Sequence, residues 1–262
     1  MLNGTYYFLR GLILITKPGI RIWVVIPLLI NILLFSMLIY YSLLYFPIML
    51  DIVIGYLQLP IPSWAWMFEI ILWIILPLFI VFAMMLFFFT FTFVANLISE
   101  PFNGALSRAV ERYITGHKVI SPSESIFKII VGFILEKLEK LWYYFKWIVL
   151  LSIISFIPII NVVSPILWFL FSAWVAALEY ADPVLANHGY NVPEQRKLLA
   201  KKRTLTLGFG ISVIVAMFIP IINFLVMPAA VAGATHMWLQ EFDGIDNLQS
   251  IEIKNENSSL FN

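Results

Sequence analysis

The chain has 262 residues, of which 62% are hydrophobic and 12% charged, and its formal net charge is +1. Soluble domains carry about 25% charged residues, so this composition excludes an ordinary soluble domain and indicates an integral membrane protein. The sequence contains no cysteine, which excludes disulfide frameworks, thiolate metal sites and cysteine nucleophiles.

Two long apolar stretches come first along the chain, at about residues 22–46 and 63–98. The first is long enough to cross a hydrocarbon core of about 30 Å, and no small-residue cleavage site follows it. The second is longer, so it must tilt or extend past the headgroups, and Pro77 favours a kink. We expect both stretches to be transmembrane helices.

A helix break is predicted directly after the second stretch. Ser99–Gly104 includes Pro101, which lacks an amide hydrogen and restricts the residue before it. Residues 105–114 would then form a short charged helix. Residues 121–124, Ser-Pro-Ser-Glu, are typical of a helix start, and the next helix, with mixed apolar and charged residues, should lie near the membrane interface.

The sixteen basic residues can all be placed on one side of the membrane. The linker at 47–62 contains no Lys or Arg, whereas Arg10, Lys17 and Arg21 precede the first span and seven basic residues follow the second by position 146. Positive charge stays on the cytoplasmic side of a spanning segment. We therefore predict that the N- and C-termini are cytoplasmic and that the linker is outside.

Two later stretches, 147–178 and 204–240, contain no Asp, Glu, Lys or Arg. Each contains the hexapeptide Phe-Ile-Pro-Ile-Ile-Asn, at 156–161 and 218–223. If each stretch crossed the membrane once, the basic cluster at 196–203 would be outside. If each stretch enters the membrane and returns to the same side, the cluster is cytoplasmic and the hexapeptides are the hairpin tips. The segments before the tips, about 11 and 16 residues, are too short to cross. We predict two re-entrant hairpins, at about 147–179 and 204–240; fully crossing tilted helices are the alternative.

The tips of such hairpins cannot face lipid, because each unpaired backbone group there costs several kcal/mol. One chain encloses little, so we expect a homo-oligomer. The predicted fold is an all-α integral membrane protein with two long transmembrane helices, two half-membrane hairpins and interfacial amphipathic helices. A single membrane domain would cover residues 1–242, and the polar cytoplasmic tail at 243–262 should be disordered.

The first candidate site is the turn Thr16–Arg21, before the first span. Pro18 and Gly19 form a turn signal, and the free amide hydrogens and positive dipole end of the next helix point into it. With Lys17 and Arg21 nearby, such a turn suits sulfate or phosphate. The alternative is an ordinary cytoplasmic turn whose basic residues lie at the headgroups.

Uncharged polar side chains form a second candidate set: Asn31 within the first span, and Asn161 and Asn223 at the predicted tips. A carboxamide donates two hydrogens and carries no charge, so it could replace water around a passing oxyanion without trapping it. Alternatively, each Asn caps a turn or bonds a neighbouring helix.

Charged side chains after the second span form a third candidate set: Glu100, Arg108, Glu111 and Arg112. They could line a vestibule of balanced charge, or lie on a solvated helix with intrahelical ion pairs. His188 follows Asp182-Pro183 in a segment for which we favour a cytoplasmic loop, and it is also a candidate pore-lining residue.

The sequence shows no Ser-His-Asp set, phosphate-binding glycine loop or paired catalytic carboxylates, and no second ligand lies at metal spacing from any histidine. We therefore expect no enzymatic activity, no cofactor and no metal. The small net charge gives no indication of nucleic-acid binding.

Three stretches of the chain resemble the CysZ sulfate permease family. The first is Phe93–Gly104, followed by Arg108 and Glu111. The second is Leu178–Pro183 with Asn187-His188, followed later by Gly208-Phe209-Gly210. The third is the turn Lys17–Arg21. The resemblance covers about residues 4–240. One difference is Ile22, because family members often carry a second basic residue directly after the Arg; Lys17 could supply that charge.

The resemblance implies sulfate uptake across the bacterial inner membrane for cysteine synthesis, by an ATP-independent, channel-like, dimer-based homo-oligomer, with six copies compatible. It also implies that Lys17, Gly19, Ile20 and Arg21 bind sulfate. Sulfite and thiosulfate remain alternative anions, and proton or sodium coupling remains an alternative to a channel. The competing hypothesis is a membrane-embedded scaffold or regulatory protein without transport activity, in which the polar residues serve only packing.

Overall fold

The computed structural model describes residues 2–57, 66–117, 126–158 and 160–242, and within these ranges the secondary structure is entirely helical. The helices are α1 (Leu2–Leu14), α2 (Arg21–Leu57), α3 (Trp66–Thr115), α4 (Ile126–Ser155), α5 (Ser164–Asn187), α6 (Val192–Lys201), α7 (Arg203–Met217) and α8 (Pro220–Glu241). In this described part, three segments are long and apolar enough to cross a membrane: Arg21–Tyr45, Ser164–Asn187 and Ile222–Glu241.

The long helices extend past their predicted ends. α3 continues through Pro101 to Thr115, so the predicted break at Ser99–Gly104 and the separate helix at 105–114 are wrong. A proline inside a helix removes one amide donor and crowds a carbonyl of the preceding turn, which bends some helices and ends others; here the helix continues. α2 likewise runs beyond 46 to Leu57. The predicted helix start at 121–124 and the polar tail lie outside the described residues.

Two compact units make up the chain, one from Met1–Val24 with Asn103–Asn262 and one from Val25–Phe102. The second unit contains most of α2 and the first part of α3. Large apolar side chains are exposed along both helices. Such faces suit contact with lipid or with another protein chain.

Two helical hairpins form most of the first unit, and the turn of each lies at one copy of the hexapeptide Phe-Ile-Pro-Ile-Ile-Asn. α4 ends at Ser155 and α5 begins at Ser164, whereas α7 ends at Met217 and α8 begins at Pro220. In the first turn, the hydroxyl groups of Ser155 and Ser164 are hydrogen bonded, and Trp168 Nε1 donates to Ser155 Oγ at 3.1 Å.

Of the two arms before the turns, one differs from its predicted length. α4 has 30 residues instead of about 11, whereas α7, with 15 residues, is as short as expected. The arms after the turns, α5 and α8, have 24 and 22 residues. Of the two predicted short arms, only α7 is therefore short. The predicted arm at 147–157 is the end of the longer helix α4, whose first half carries charged residues that the apolar pattern did not include.

Small residues bring the helices of the first unit close together. A Cβ at Gly11 in α1 would overlap the carbonyl oxygen of Ala229 in α8, and one at Gly233 would lie 2.6 Å from Tyr7 O. Gly210 in α7 meets the carbonyl of Ala173 in α5 in the same way. Close approach of this kind is typical of packed membrane helices. The sequence analysis did not predict α1, which packs across α7 and α8.

The core of this unit joins segments that are far apart in the sequence. One hydrophobic cluster contains four fully buried residues: Ile20 from the Thr16–Arg21 turn, Leu106 from α3, Phe209 from α7 and Trp238 from α8. This cluster holds the Thr16–Arg21 turn against the ends of three helices.

Candidate anion-binding site

The Thr16–Arg21 turn lies directly before α2, as predicted, and connects it to α1. Its chain reversal depends on Gly19, whose φ of +85° lies in the left-handed region that favours glycine. A Cβ at this position would have no atom within 4 Å, so the restriction comes from the backbone and not from neighbouring atoms. Gly19 and Arg21 are exposed, and Lys17 is half-buried.

The backbone of the turn uses some of the donors that we expected to be free. The amides of Ile20 and Arg21 both donate to the carbonyl of Lys17, at 3.2 and 3.1 Å. The Trp23 amide donates to Ile20 O at 3.0 Å, and the Gly19 amide takes part in none of these turn bonds. The expectation of several free amides is therefore wrong for Ile20 and Arg21, which close the turn.

Ile20 anchors this turn to the protein. Its side chain is only 1% exposed and lies within the core cluster. Thr16 adds a bond from its hydroxyl to Ile13 O at 2.8 Å. Because one side of the turn is fixed in this way, the exposed side presents Gly19 and Arg21 at the start of α2. That arrangement suits an anion, since the positive end of the α2 dipole and the guanidinium lie at the same place.

A buried hydrogen-bonded pair, Glu111 and His188, joins α3 to the end of α5. Glu111 is fully buried, and its two carboxylate oxygens lie 3.0 and 3.1 Å from His188 Nε2. The His188 ring packs on Trp238, with ring centroids 4.2 Å apart. His188 is the C-cap of α5, and Pro183 lies inside that helix. The predicted loop therefore starts later than expected: Asp182 and Pro183 lie within α5, and His188 lies in the turn between α5 and α6.

Among the described residues, the partner of the Arg108 guanidinium is an amide and not a carboxylate. Its Nη1 donates to Asn187 Oδ1 at 2.7 Å, and Asn187 Nδ2 donates to Gly104 O at 3.0 Å. The neutral amide fixes the direction of the guanidinium and leaves its charge uncompensated by this contact. Arg108 is only partly buried, so that charge can act on a nearby anion.

The remaining candidate residues lie apart from these contacts. Arg112 is exposed, and so are Asn161 and Asn223, whose backbone amides donate to Ile157 O and Ile219 O. Glu100 and Asn31 belong to the other compact unit. The Oδ1 atom of Asn31 is buried and has no hydrogen-bond partner among the described residues.

Several residues of the polar network were not predicted as site residues. Asn187 contacts Arg108, and Trp238 contacts His188. The buried Thr235 hydroxyl donates to Ser107 Oγ at 3.1 Å. Asn187 lies next to His188 in the stretch that resembles the family, and this position could have identified it as a site residue. Trp238 lies in an apolar stretch and gave no such signal.

A second polar cluster lies between α4, α5 and α6. Lys140 Nζ is 2.6 Å from Asp182 Oδ2, and Gln195 Nε2 donates to Asp182 Oδ1 at 2.9 Å. Burial raises the pKa of Glu136 above its usual value, and the carboxylate of Asp182 adds to the rise. The cluster fastens α6 to the two longer helices. Among the described residues, no group of three or more metal-ligating side chains is present.

Residues 7–228 match the protein family described as "Sulfate transporter CysZ/Etoposide-induced protein 2.4". The chain belongs to this family. The matched residues include the Thr16–Arg21 turn, the Glu111–His188 pair and both hairpin turns. Family membership and the three long apolar helices together identify a membrane protein.

Relatives named "Sulfate transporter CysZ" are similar to the chain over almost its whole length. The Pseudomonas paraeruginosa protein is 38% identical over 242 residues, which cover 92% of this chain and 96% of the relative. The Pseudomonas fluorescens protein is 39% identical over 251 residues, with coverage of 95% and 97%. The Pseudomonas syringae pv. tomato protein is 40% identical over 243 residues, with coverage of 92% and 93%.

Proposed function

We propose that this protein carries sulfate across the bacterial inner membrane and supplies sulfur for cysteine synthesis. The observation that carries the proposal is the 37–40% identity, over nearly the full length, to several proteins named sulfate transporter CysZ. The three helices of sufficient length and apolarity support a place in the membrane. Transport is proposed to be channel-like and independent of ATP.

The entry site for sulfate is the exposed side of the Thr16–Arg21 turn. Arg21 and Lys17 supply positive charge, and the exposed backbone at Gly19 allows the close approach that a tetrahedral anion needs, while Ile20 fixes the turn in place. The exposed Gly19 leaves room for the ligand, since no atom lies within 4 Å of its Cβ position. Ile22, which is also exposed, stands where the family often has a second basic residue, so Lys17 provides the second charge.

The path beyond the entry site uses polar groups that bind sulfate weakly enough to release it. The proposed lining residues are Asn31, Asn161, Asn223, Glu100, Arg108, Glu111, Arg112 and His188. The contacts of Arg108 support its role, because a neutral amide holds the guanidinium while its charge stays available. Glu111 is fully buried in this conformation, so it acts on the path through His188, which it orients.

The proposed assembly is a homo-oligomer whose two hairpins enter the membrane to half its depth, with both termini cytoplasmic. Both hairpin turns expose the phenylalanine that begins the repeated hexapeptide: Phe156 is 88% exposed and Phe218 is 80% exposed. Backbone at such turns must be covered by protein or line a wet cavity. Packing of several copies would cover these turns and enclose a path.

The deciding experiment measures uptake of radiolabelled sulfate by liposomes that contain the purified protein, beside empty liposomes. The Arg21→Ala variant removes a charged hydrogen-bond donor, which should weaken apparent sulfate affinity roughly 10- to 150-fold. Lys197→Ala is the matched control, because Lys197 is an exposed basic residue of α6 outside the turn. Unlabelled sulfite and thiosulfate, added as competitors, test selectivity.

Uptake by the parent and by Lys197→Ala, with a clear loss in folded Arg21→Ala, is the expected result. Equal uptake by all three proteins would keep the transport function and remove the turn as its entry site. If uptake by the folded, oligomeric parent does not exceed that of empty liposomes, the transport proposal is wrong. A scaffold or regulatory protein would then be the better description.

A further inference from the structure

A polar cleft of about 340 Å³ lies where α6 meets α7, away from the Thr16–Arg21 turn in the sequence. Its lining includes Lys201, Lys202, Arg203, Thr204, Asn3 and Glu241. The three basic residues are consecutive and exposed. With three cations and one carboxylate, the cleft carries a net charge of about +2 at neutral pH.

The single carboxylate of the cleft already has two partners. Lys202 Nζ lies 2.9 Å from Glu241 Oε2, and the Tyr7 hydroxyl donates to Oε1 at 2.7 Å. Lys201 and Arg203 take part in no side-chain hydrogen bond or ion pair among the described residues. Two cationic side chains are therefore left to bind an anion from outside the chain.

The position of the cleft indicates where that anion comes from. Leu205 and the apolar residues after it follow the cleft along α7, and the long apolar segment Ile222–Glu241 of α8 ends at a residue of the cleft. With α8 in the membrane, the cleft lies at the polar end of a helix pair, which is the depth of lipid headgroups. Five basic residues occur between positions 196 and 203.

We propose that this cleft binds the phosphate headgroup of an anionic phospholipid. Basic clefts at the membrane ends of packed helices are suited to such headgroups, and each basic residue near a charged surface strengthens binding. α7 begins at Arg203 without a side-chain cap, so its first backbone amides provide further donors on the same side. This inference depends on the membrane location of α8 and not on sulfate transport.

The test measures lipid binding to the intact purified protein in a neutral detergent by native mass spectrometry. Phosphatidylglycerol is the probe, and phosphatidylcholine is the zwitterionic reference. The double variant Lys201→Gln with Arg203→Gln removes the two available cations, and binding of phosphatidylglycerol should weaken roughly 30-fold, from about 5-fold per basic residue. The matched control, Lys146→Gln with Lys197→Gln, removes two exposed cations outside the cleft.

The expected result is loss of phosphatidylglycerol binding in the cleft variant alone, with recovery in Lys201→Arg with Arg203→Lys, which keeps both charges. Equal weakening in the control variant would show a general charge effect and overturn the proposal. Unchanged binding in a folded cleft variant would also overturn it. A parallel titration with inorganic phosphate distinguishes the other source: binding of free phosphate as tightly as the lipid would assign the cleft to a soluble anion.

Discussion

Replacing Lys140 by methionine should destabilise the protein by about 3–5 kcal/mol, because it leaves a carboxylate inside the helix bundle without its cation. Lys140 Nζ lies 2.6 Å from Asp182 Oδ2, and the two side chains are 6% and 12% exposed. Little water reaches either group, so solvent cannot replace the lost partner. Methionine has a similar length, and the change therefore removes charge with little loss of packing.

The structure allows the size of this effect to be worked out. At an effective dielectric constant of about 20, two unit charges 2.6 Å apart attract each other by about 6 kcal/mol. The dehydration of both ions on folding offsets part of that attraction. After the substitution, Asp182 keeps the hydrogen bond from Gln195 at 2.9 Å and its contact with the carboxyl group of Glu136, but it has lost the ion pair with Lys140.

Thermal unfolding of the purified protein in detergent, followed by tryptophan fluorescence, measures the change. In a chain of this size 1 kcal/mol corresponds to about 2–4 °C, so the midpoint should fall by roughly 6–20 °C. Lys197→Met is the control, because it makes the same substitution at an exposed position of α6. The double variant Lys140→Met with Asp182→Leu should recover at least half of the loss, since neither charge is then buried alone.

The reasoning is refuted if Lys140→Met unfolds within about 2 °C of Lys197→Met. It is also refuted if the double variant is less stable than Lys140→Met, because the loss would then come from packing and not from an unpaired charge. Failure of Lys140→Met to fold would agree with the prediction only if the double variant folds.

Three further outcomes are expected. Gly210→Ala should destabilise by about 1–3 kcal/mol or more, because its Cβ would overlap the carbonyl of Ala173. His188→Ala should lower the unfolding midpoint strongly, by about 3–5 kcal/mol in stability, because it leaves Glu111 as a buried unpaired carboxylate. Burial raises the pKa of Glu136, so above the usual pKa the folded state holds a proton that the unfolded state has lost. This proton binding stabilises the folded state, and the stabilisation is lost as pH rises through the folded pKa. Glu136→Gln should therefore unfold with a weaker pH dependence than the parent as the pH rises above 4.5, the usual pKa of the group.

Each of these outcomes has its own control. Gly55→Ala should be neutral or stabilising, since it lies in α2 with no atom near its Cβ position; equal destabilisation there and at Gly210 would contradict the packing argument. His188→Gln can still donate to the carboxylate and should retain more stability than the alanine variant. For Glu136, parallel pH profiles of parent and variant would show that this carboxyl group does not titrate differently on folding.

The local pattern of the chain predicted several features that the structure contains. The two occurrences of Phe-Ile-Pro-Ile-Ile-Asn mark both hairpin turns, because proline and the polar Asn interrupt a run of apolar residues. Pro18-Gly19 likewise marks the turn before α2. The half-membrane depth of the hairpins and the pore-lining set remain predictions, since they depend on the membrane and on other copies of the chain.

The features that were mispredicted depend on surroundings and not on local pattern. Pro101 looked like a helix break, yet α3 continues through it, and whether a helix kinks or ends at a proline depends on the packing around it. α1 is a short helix before the first apolar span, and its place comes from glycines that fit against α7 and α8. The burial of Ile20 also depends on tertiary packing: it was predicted as a sulfate-binding residue, and the structure shows its side chain anchoring the turn in the core.

By itself, the sequence determined that the protein belongs in a membrane and where its apolar chain must turn. Composition, charge-free runs and prolines act through neighbouring residues, so they can be seen without a fold. Only the tertiary structure decided which polar groups meet: Glu111 and His188 are 77 residues apart, and Arg108 and Asn187 are 79. Such pairs form because the packing of α3, α5 and α8 buries their side chains together, where each must find a partner to offset the cost of leaving water.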